Sequence, residues 1–405
     1  MSDLFIFSGL FCQVDSVVKR LMDDAGFKLV TDADLVADAA SLSGMSAKAV
    51  AKAFSPTTSI FNKFSHEKER SVAWLRLALA RKLAAGETLL VSGMVTQLLS
   101  QEIAHILKVC LIDDVHKRTE VALSEGGVSE KDALKAIHHA DEEATVWVRD
   151  TTGNKDPWAP ALYDMVIPVG KTGVDESVTL IKEQLGNAAV KVTEASKKAV
   201  SDFLLAANVQ TVMASKGHNV EVKADGGTVT LSINKKVLMV ERLEKDLREI
   251  AEPLEGVSKV NIDFGKNYYE ADIYRRMDFE LPSRVLLVDD EREFVKTLSE
   301  RLLLRDLGSA VVYDGESALN VVKEDEPEVM ILDLKMPGID GIEVLRRVKA
   351  ERPGIEVIIL TGHGSENDRR TCMELGAFAY LNKPVDIEVL SSTLKDAYAK
   401  VRNSK

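Results

Sequence analysis

The sequence predicts an α/β protein built from two doubly wound parallel sheets with a small α+β part between them. Three observations carry this prediction. Short apolar runs alternate with helical periodicity in residues 1–187 and again in residues 283–405. Such alternation argues for parallel sheets covered by helices on both faces. Between them, Asp225-Gly226-Gly227 separates two alternating runs, which is a hairpin signal. At 405 residues, with 45% hydrophobic and 29% charged residues, the chain has material for several ordinary globular cores.

Composition also excludes function classes. A net charge of −12 disfavours a nucleic-acid surface unless a local basic patch opposes it, and the basic residues occur as scattered pairs such as Lys197-Lys198 and Lys235-Lys236. The three cysteines, Cys12, Cys110 and Cys372, are far apart and form no metal-binding spacing or disulfide framework. They suit a reducing cytoplasm. The N-terminal MSDLFIFSGLF has no basic leader, so a first strand is expected in place of a signal peptide. No run approaches the ~18 apolar residues of a membrane helix, and membrane insertion is not expected.

In residues 1–187, Leu4-Phe5-Ile6-Phe7 is expected to be a buried strand, followed by a helix over 14–25. A second helical region is expected over 34–53, an irregular polar patch over 55–69 and an apolar helix over 71–84. Strands are expected at 88–91 and 109–112. Strand, turn and helix at the N-terminus suggest a phosphate-binding loop starting at Gly9. Its second glycine, lysine and hydroxyl residue would fall at Val14, Asp15 and Ser16. Val14 removes the freedom that lets backbone amides reach phosphate, and Asp15 puts a negative charge where phosphate would lie. Ser16 alone survives, and a lone Ser more often starts a helix.

These residues resemble the cytidylate-kinase-like family of P-loop nucleoside monophosphate kinases. The likeness runs through Phe5–Asp15, Val30-Thr31-Asp32, Leu89–Gly93 and Ala161–Ile167, with 127–152 similar to the family's helical lid. The family's Gly-Arg is Gly93-Met94 here, and its arginine-rich lid reads Asp141-Glu142-Glu143-Ala144. The resemblance implies a P-loop-kinase-like scaffold whose nucleotide loop (Gly9, Val14, Asp15, Ser16) is degenerate. Classical enzyme activity is therefore not expected, since resemblance of fold does not confer activity.

Residues 186–192 read as a linker. Residues 193–280 are expected to give a helix over 194–207, strands at 220–224 and 228–232, a helix over 239–251 and a strand over 259–264. With DGGTVTLS and EGVSKVNI, this order resembles the BON domain, which implies a spacer or interaction module without catalytic residues.

Residues 283–405 show five strand-plus-helix repeats, with strands expected at 285–288, 310–313, 329–332, 357–360 and 377–381. Their helices are expected over 291–304, 315–324, 341–351, 366–375 and 387–401. Asp289-Asp290 close the first strand, Asp333 the third, Thr361 the fourth and Lys383 the fifth, all at the carboxyl edge where such sheets bind ligands. Each has a simpler role available: an aspartate can cap a helix, Thr361 can end a strand and Lys383 can be solvated. Four strands converging on one edge argue against all of these at once. Crowded carboxylates invite a hard divalent cation, Mg²⁺ above all. Asp333 can then act as a carboxylate nucleophile, Lys383 can offset phosphoryl charge, Thr361 can bond a phosphoryl oxygen, and Gly362 leaves room for it.

This constellation resembles the receiver domain of two-component response regulators, which has a flavodoxin-like five-stranded parallel fold. The matching residues are Val288-Asp289-Asp290-Glu291, Asp333 with Met336-Pro337-Gly338, Thr361-Gly362 and Tyr380-Leu381-Asn382-Lys383-Pro384. The resemblance implies that Asp333 takes phosphate from a sensor histidine kinase or phosphotransfer protein. It further implies that Asp290, Asp333 and the Lys335 backbone carbonyl ligate Mg²⁺, with Asp289 acting through water. Thr361 and Tyr380 would be a switch pair, and Lys383-Pro384 a cis bond. The expected protein is a cytoplasmic response regulator, compatible with a homodimer, whose receiver switches the contacts of the N-terminal parts. No recognition helix is evident, so direct DNA binding is not expected. The alternative is a nucleoside monophosphate kinase under receiver control.

Overall fold

The structure is a computed structural model that describes residues 2–403, apart from residues 58, 126, 238–239, 266–267, 269–280 and 363. It divides into two compact units. The first comprises Met1–Thr57, Glu67–Ser215 and Asn219–Tyr274; the second comprises Thr58–His66, Lys216–His218 and Arg275–Lys405.

The first unit opens with β1 (Asp3–Ser8), α1 (Val14–Ala25), β2 (Lys28–Thr31), α2 (Asp32–Ser43) and α3 (Ala47–Ala51). After α4 (Asn62–Ser65), which belongs to the second unit, come α5 (Glu67–Ala84), β3 (Leu89–Ser92), β4 (Ile106–Ile112), α6 (Val115–Ser124) and α7 (Glu130–Thr152). Then follow β5 (Met165–Pro168), α8 (Val169–Thr172) and α9 (Val174–Leu185). The five strands are parallel in the order β2-β3-β1-β4-β5. Because side chains alternate along a strand, Phe5 and Phe7 enter one core with α2, α5 and α7, while Leu4 and Ile6 enter another with α1 and α9.

Several boundaries differ from expectation. The helix expected over 34–53 is broken: Gly44 closes α2 in the left-handed region (φ 71°), and the Ser46 hydroxyl caps a fresh start at α3. The apolar helix starts earlier than 71, at Glu67, and β4 is longer than expected, beginning at Ile106. Ser16 does not start its helix. It lies inside α1, whose cap residue Gln13 sits at φ 53°.

The unit continues with α10 (Glu194–Ser215), β6 (Glu221–Asp225), β7 (Thr228–Ile233), α11 (Val240–Ala251) and β8 (Lys259–Phe264). β6 and β7 pair antiparallel through the expected turn, and β8 adds to β7 in parallel. α10 is two turns longer than expected and apolar around much of its surface. Val200, Phe203 and Ala207 join the Phe5 core, whereas Val209 and Met213 pack under β6 and β7. The expected helix start at residue 239 and the end of the stretch at 280 lie outside the described residues.

In the second unit, β9 (Val285–Val288), α12 (Arg292–Leu303), β10 (Ser309–Val312), α13 (Gly315–Glu324) and β11 (Val329–Leu332) come first. They are followed by α14 (Gly341–Glu351), β12 (Glu356–Thr361), α15 (Glu366–Glu374), β13 (Ala379–Asn382) and α16 (Ile387–Asn403). The strands are parallel in the order β10-β9-β11-β12-β13. This is the doubly wound arrangement whose order reverses beside the first strand, and it opens a crevice at the carboxyl ends of β9 and β11. Leu286 and Val288 face the helices α13 and α14, while Val285 and Leu287 face α12 and α16. Both sheet faces are buried, so the strands read as unbroken apolar runs.

Candidate functional site

At the carboxyl edge of the second unit's sheet, β9 delivers Asp289 and Asp290, β11 delivers Asp333, β12 ends in Thr361 and β13 leads to Lys383. One carboxylate oxygen each from Asp289, Asp290 and Asp333 lie within 4.8 Å of one another, so the three could hold a metal ion. Asp289 and Asp333 are buried. The Asp289 carboxylate accepts the Glu291 amide at 2.9 Å, and that of Asp333 accepts the Leu334 amide at 2.7 Å. Neither Asp289 nor Asp290 is the cap of α12. Its cap position is Glu291, without a side-chain capping bond.

Lys383 reaches back across the crevice. Its Nζ lies 2.7 Å from Asp289, 3.0 Å from Glu291 and 3.2 Å from Asp333, and it rests over the Phe294 ring at 4.4 Å. Burial works against its charge, but the bonds to Asp289 and Glu291 outweigh burial and hold the ammonium above its ordinary pKa. For Asp289 the balance runs the other way. Desolvation is the largest effect and raises its carboxyl, although Lys383 and the Glu291 amide oppose it. The Lys383-Pro384 peptide is cis, as the resemblance implied.

Two glycines are required by close approach. A Cβ at Gly341 would overlap the carbonyl oxygen of Asp333, and the Gly341 amide donates to Leu334 at 2.9 Å. The start of α14 is thereby held against the loop that carries Asp333. Gly364 meets the Tyr380 hydroxyl, and any Cβ there would overlap it. Tyr380 is half-buried, and its buried hydroxyl has no hydrogen-bond partner among the described residues. Thr361 is fully buried. A Cβ on Gly362 would meet the Lys383 side chain at an ordinary contact distance of 3.8 Å. Sequence reasoning brought together Asp289, Asp290, Asp333, Thr361 and Lys383 but assigned no role to Glu291, Phe294, Gly341 or Gly364. For Glu291 a signal existed in its place directly after the two aspartates. For Gly364 none did.

The degenerate loop of the first unit has the opposite character. Between β1 and α1, Phe11 and Gln13 adopt positive φ, and Gly9 packs against Cys12 and the Arg118 guanidinium. Arg118 of α6 is buried; its Nε donates to the Leu10 carbonyl at 2.7 Å, and its two terminal nitrogens bind Asp141 of α7 at 2.9 and 2.8 Å. The loop therefore turns a carbonyl toward a cation, and a carboxylate already satisfies that cation. Val14 packs partly into the α1 core, and Asp15 and Ser16 are exposed on the first turn. Asp32, half-buried at the start of α2, accepts the Met94 and Val95 amides at 2.9 Å each, which ties the start of α2 to the turn after β3.

Comparisons with known proteins fall on the same two regions. Residues 285–395 match the response regulator receiver domain, and residues 9–171 match the cytidylate kinase-like family. The chain is 34% identical over 116 residues to the transcriptional regulatory protein GlrR of Escherichia coli K12, covering 29% of this chain and 26% of that protein. It is 31% identical over 115 residues to the response regulator MprA of Mycolicibacterium vanbaalenii, covering 28% and 50%. The matched stretch thus spans a quarter to a half of these relatives. A solved receiver domain protein from Clostridium thermocellum aligns over 30% of this chain and 98% of its own, with 31% identity and a TM-score of 0.29. Among the described residues, no helix is long and apolar enough to cross a membrane.

Proposed function

We propose that this chain, whose residues 285–395 are a response regulator receiver domain, works as a phosphorylation-controlled signalling protein with Asp333 as phosphoacceptor. The observation that carries the reading is the convergence of Asp289, Asp290, Asp333 and Lys383 from separate strands on one crevice. An Asp333 carboxylate oxygen attacks the phosphorus of a phosphohistidine on a sensor kinase or phosphotransfer protein. The O–P bond forms, the N–P bond breaks, and the imidazole leaves with the electron pair.

Asp289, Asp290 and Asp333, with the Lys335 backbone carbonyl, would hold Mg²⁺, and the donor set fits because it is all oxygen. Bound there, the ion would neutralise charge on the phosphoryl oxygens. Lys383, already within reach of Asp333, moves its bond to a phosphoryl oxygen. The Thr361 hydroxyl donates to another in the space beside Gly362, and Tyr380 follows Thr361 inward. The changed β12–α15–β13 surface is what the output parts read.

A receiver-controlled nucleoside monophosphate kinase is not favoured. At the loop, the Arg118 guanidinium is already bound to the Leu10 carbonyl and to the Asp141 carboxylate. The test is intact-mass analysis after incubation with a small-molecule phosphodonor and Mg²⁺. One acid-labile phosphate on the wild type and none on Asp333→Ala is the expected result. Equal labelling of both would refute the assignment.

A further inference from the structure

The second unit is not continuous in the chain. It takes in Thr58–His66, more than two hundred residues before its first strand, while the flanking residues on both sides belong to the first unit. By composition this stretch is polar and irregular, yet Phe61 is fully buried in the core on the α13–α14 face of the receiver sheet. The same core contains Val288 and Leu332, the residues directly before Asp289 and Asp333. The Ile60 amide donates to the Asp325 carboxylate at 3.1 Å, just past the end of α13. The Phe64 ring lies where a Cβ on Gly308 would be, directly before β10. The turn has its own scaffold: the Ser59 hydroxyl accepts the Phe61 amide at 3.2 Å, and the Ser65 amide closes onto the Phe61 carbonyl at 2.9 Å.

We propose that residues 59–66 are a docking arm, and that the corner of the receiver between β10 and α13 is its receptor. Phe61 and Phe64 are the anchors and Asp325 the polar clamp. A buried aromatic surrounded by apolar side chains, with a specific polar bond at the rim, is the anatomy of an anchored contact. The Phe64 ring lies against Gly308, the residue directly before β10, which is an edge strand of the sheet. In sequence, the residues on either side of the arm belong to the first unit. By reciprocity, any change that Asp333 imposes on this core changes how tightly the arm is held. The docking itself does not depend on phosphotransfer.

The experiment is hydrogen exchange by mass spectrometry on the full chain, comparing wild type with Gly308→Ala and Phe64→Ala. Gly308→Ala obstructs the seat of Phe64 without altering the arm; Phe64→Ala removes the anchor without altering the seat. Both variants are expected to speed exchange within 59–66 by roughly ten-fold or more while β9 and β11 keep their protection, as expected for a local opening. Three results would overturn the proposal: an arm that exchanges freely in the wild type, variants that exchange like the wild type, or protection that vanishes on dilution. The last would assign the arm to a second copy of the chain.

Discussion

Replacing Lys383 with alanine removes the cation that faces three carboxylates. The Glu291 side chain is 64% exposed and its share is screened by water, so it contributes little. Asp289 and Asp333 have side chains only 7% and 6% exposed, at 2.7 and 3.2 Å from Nζ. Without Lys383 they face each other in a crevice with no compensating charge. Removing one partner of a buried ion pair costs about 3–5 kcal/mol. The crevice opens to solvent, which places the expected loss of receiver stability near the lower end, about 3 kcal/mol. For a domain of this size that is a fall of roughly 10 °C in its unfolding transition. A divalent cation held by the carboxylates replaces the lost charge, so millimolar Mg²⁺ should recover a larger part of the loss in Lys383→Ala than it adds to the wild type. The assay is thermal unfolding of the full chain with and without Mg²⁺, with the receiver transition identified by hydrogen exchange. A variant as stable as wild type in the absence of Mg²⁺ would refute the reasoning, as would a deficit that Mg²⁺ leaves untouched.

Three further predictions concern other parts of the molecule. Gly364→Ala puts a methyl group where the Tyr380 hydroxyl lies, so Tyr380 is expected to turn outward. The phosphorylated and unphosphorylated forms should then show the same Tyr380 environment by NMR; a phosphorylation-dependent shift as large as in wild type would contradict this. Burial pushes the thiols of Cys12 and Cys372 up to about 11 and that of Cys110 up to about 12. A raised thiol pKa means less thiolate at a given pH, so none of the three should be alkylated in the native protein at pH 8, and all three should react after unfolding. Asp141→Asn leaves the buried Arg118 guanidinium without its carboxylate, at a cost of about 3–5 kcal/mol. Melting of the first unit should show this loss, and inorganic phosphate should recover part of it by binding the freed guanidinium.

The receiver was legible because its chemistry is written locally. Asp333 follows four apolar residues, and Asp289-Asp290 close another such run, so strand direction alone brings them to one edge. Five apolar strands separated by helices then leave little freedom in topology. Arg118 and Asp141 carry no such signal, because their pairing depends on how α6 meets α7. Gly44 looked like one more residue in a helical stretch, and only its left-handed conformation reveals the break between α2 and α3. Phe61 was hidden for a different reason. Ile60 and Phe64 beside it break an otherwise polar stretch too briefly to mark an element, and its core partners lie more than two hundred residues away, so no window of sequence contains the contact. Gly341 and Gly364 show what single glycines conceal, since the need for a missing side chain appears only when the second surface is in place.

The most direct test of the account is to trap the phosphorylated protein with borohydride and map its peptides. Reduction converts an aspartyl phosphate to homoserine at the residue that carried it. The account predicts homoserine at position 333, dependent on Mg²⁺ and on an intact Lys383. Homoserine at Asp289 or Asp290 in place of Asp333, or none at all after full exposure to phosphodonor, would contradict it.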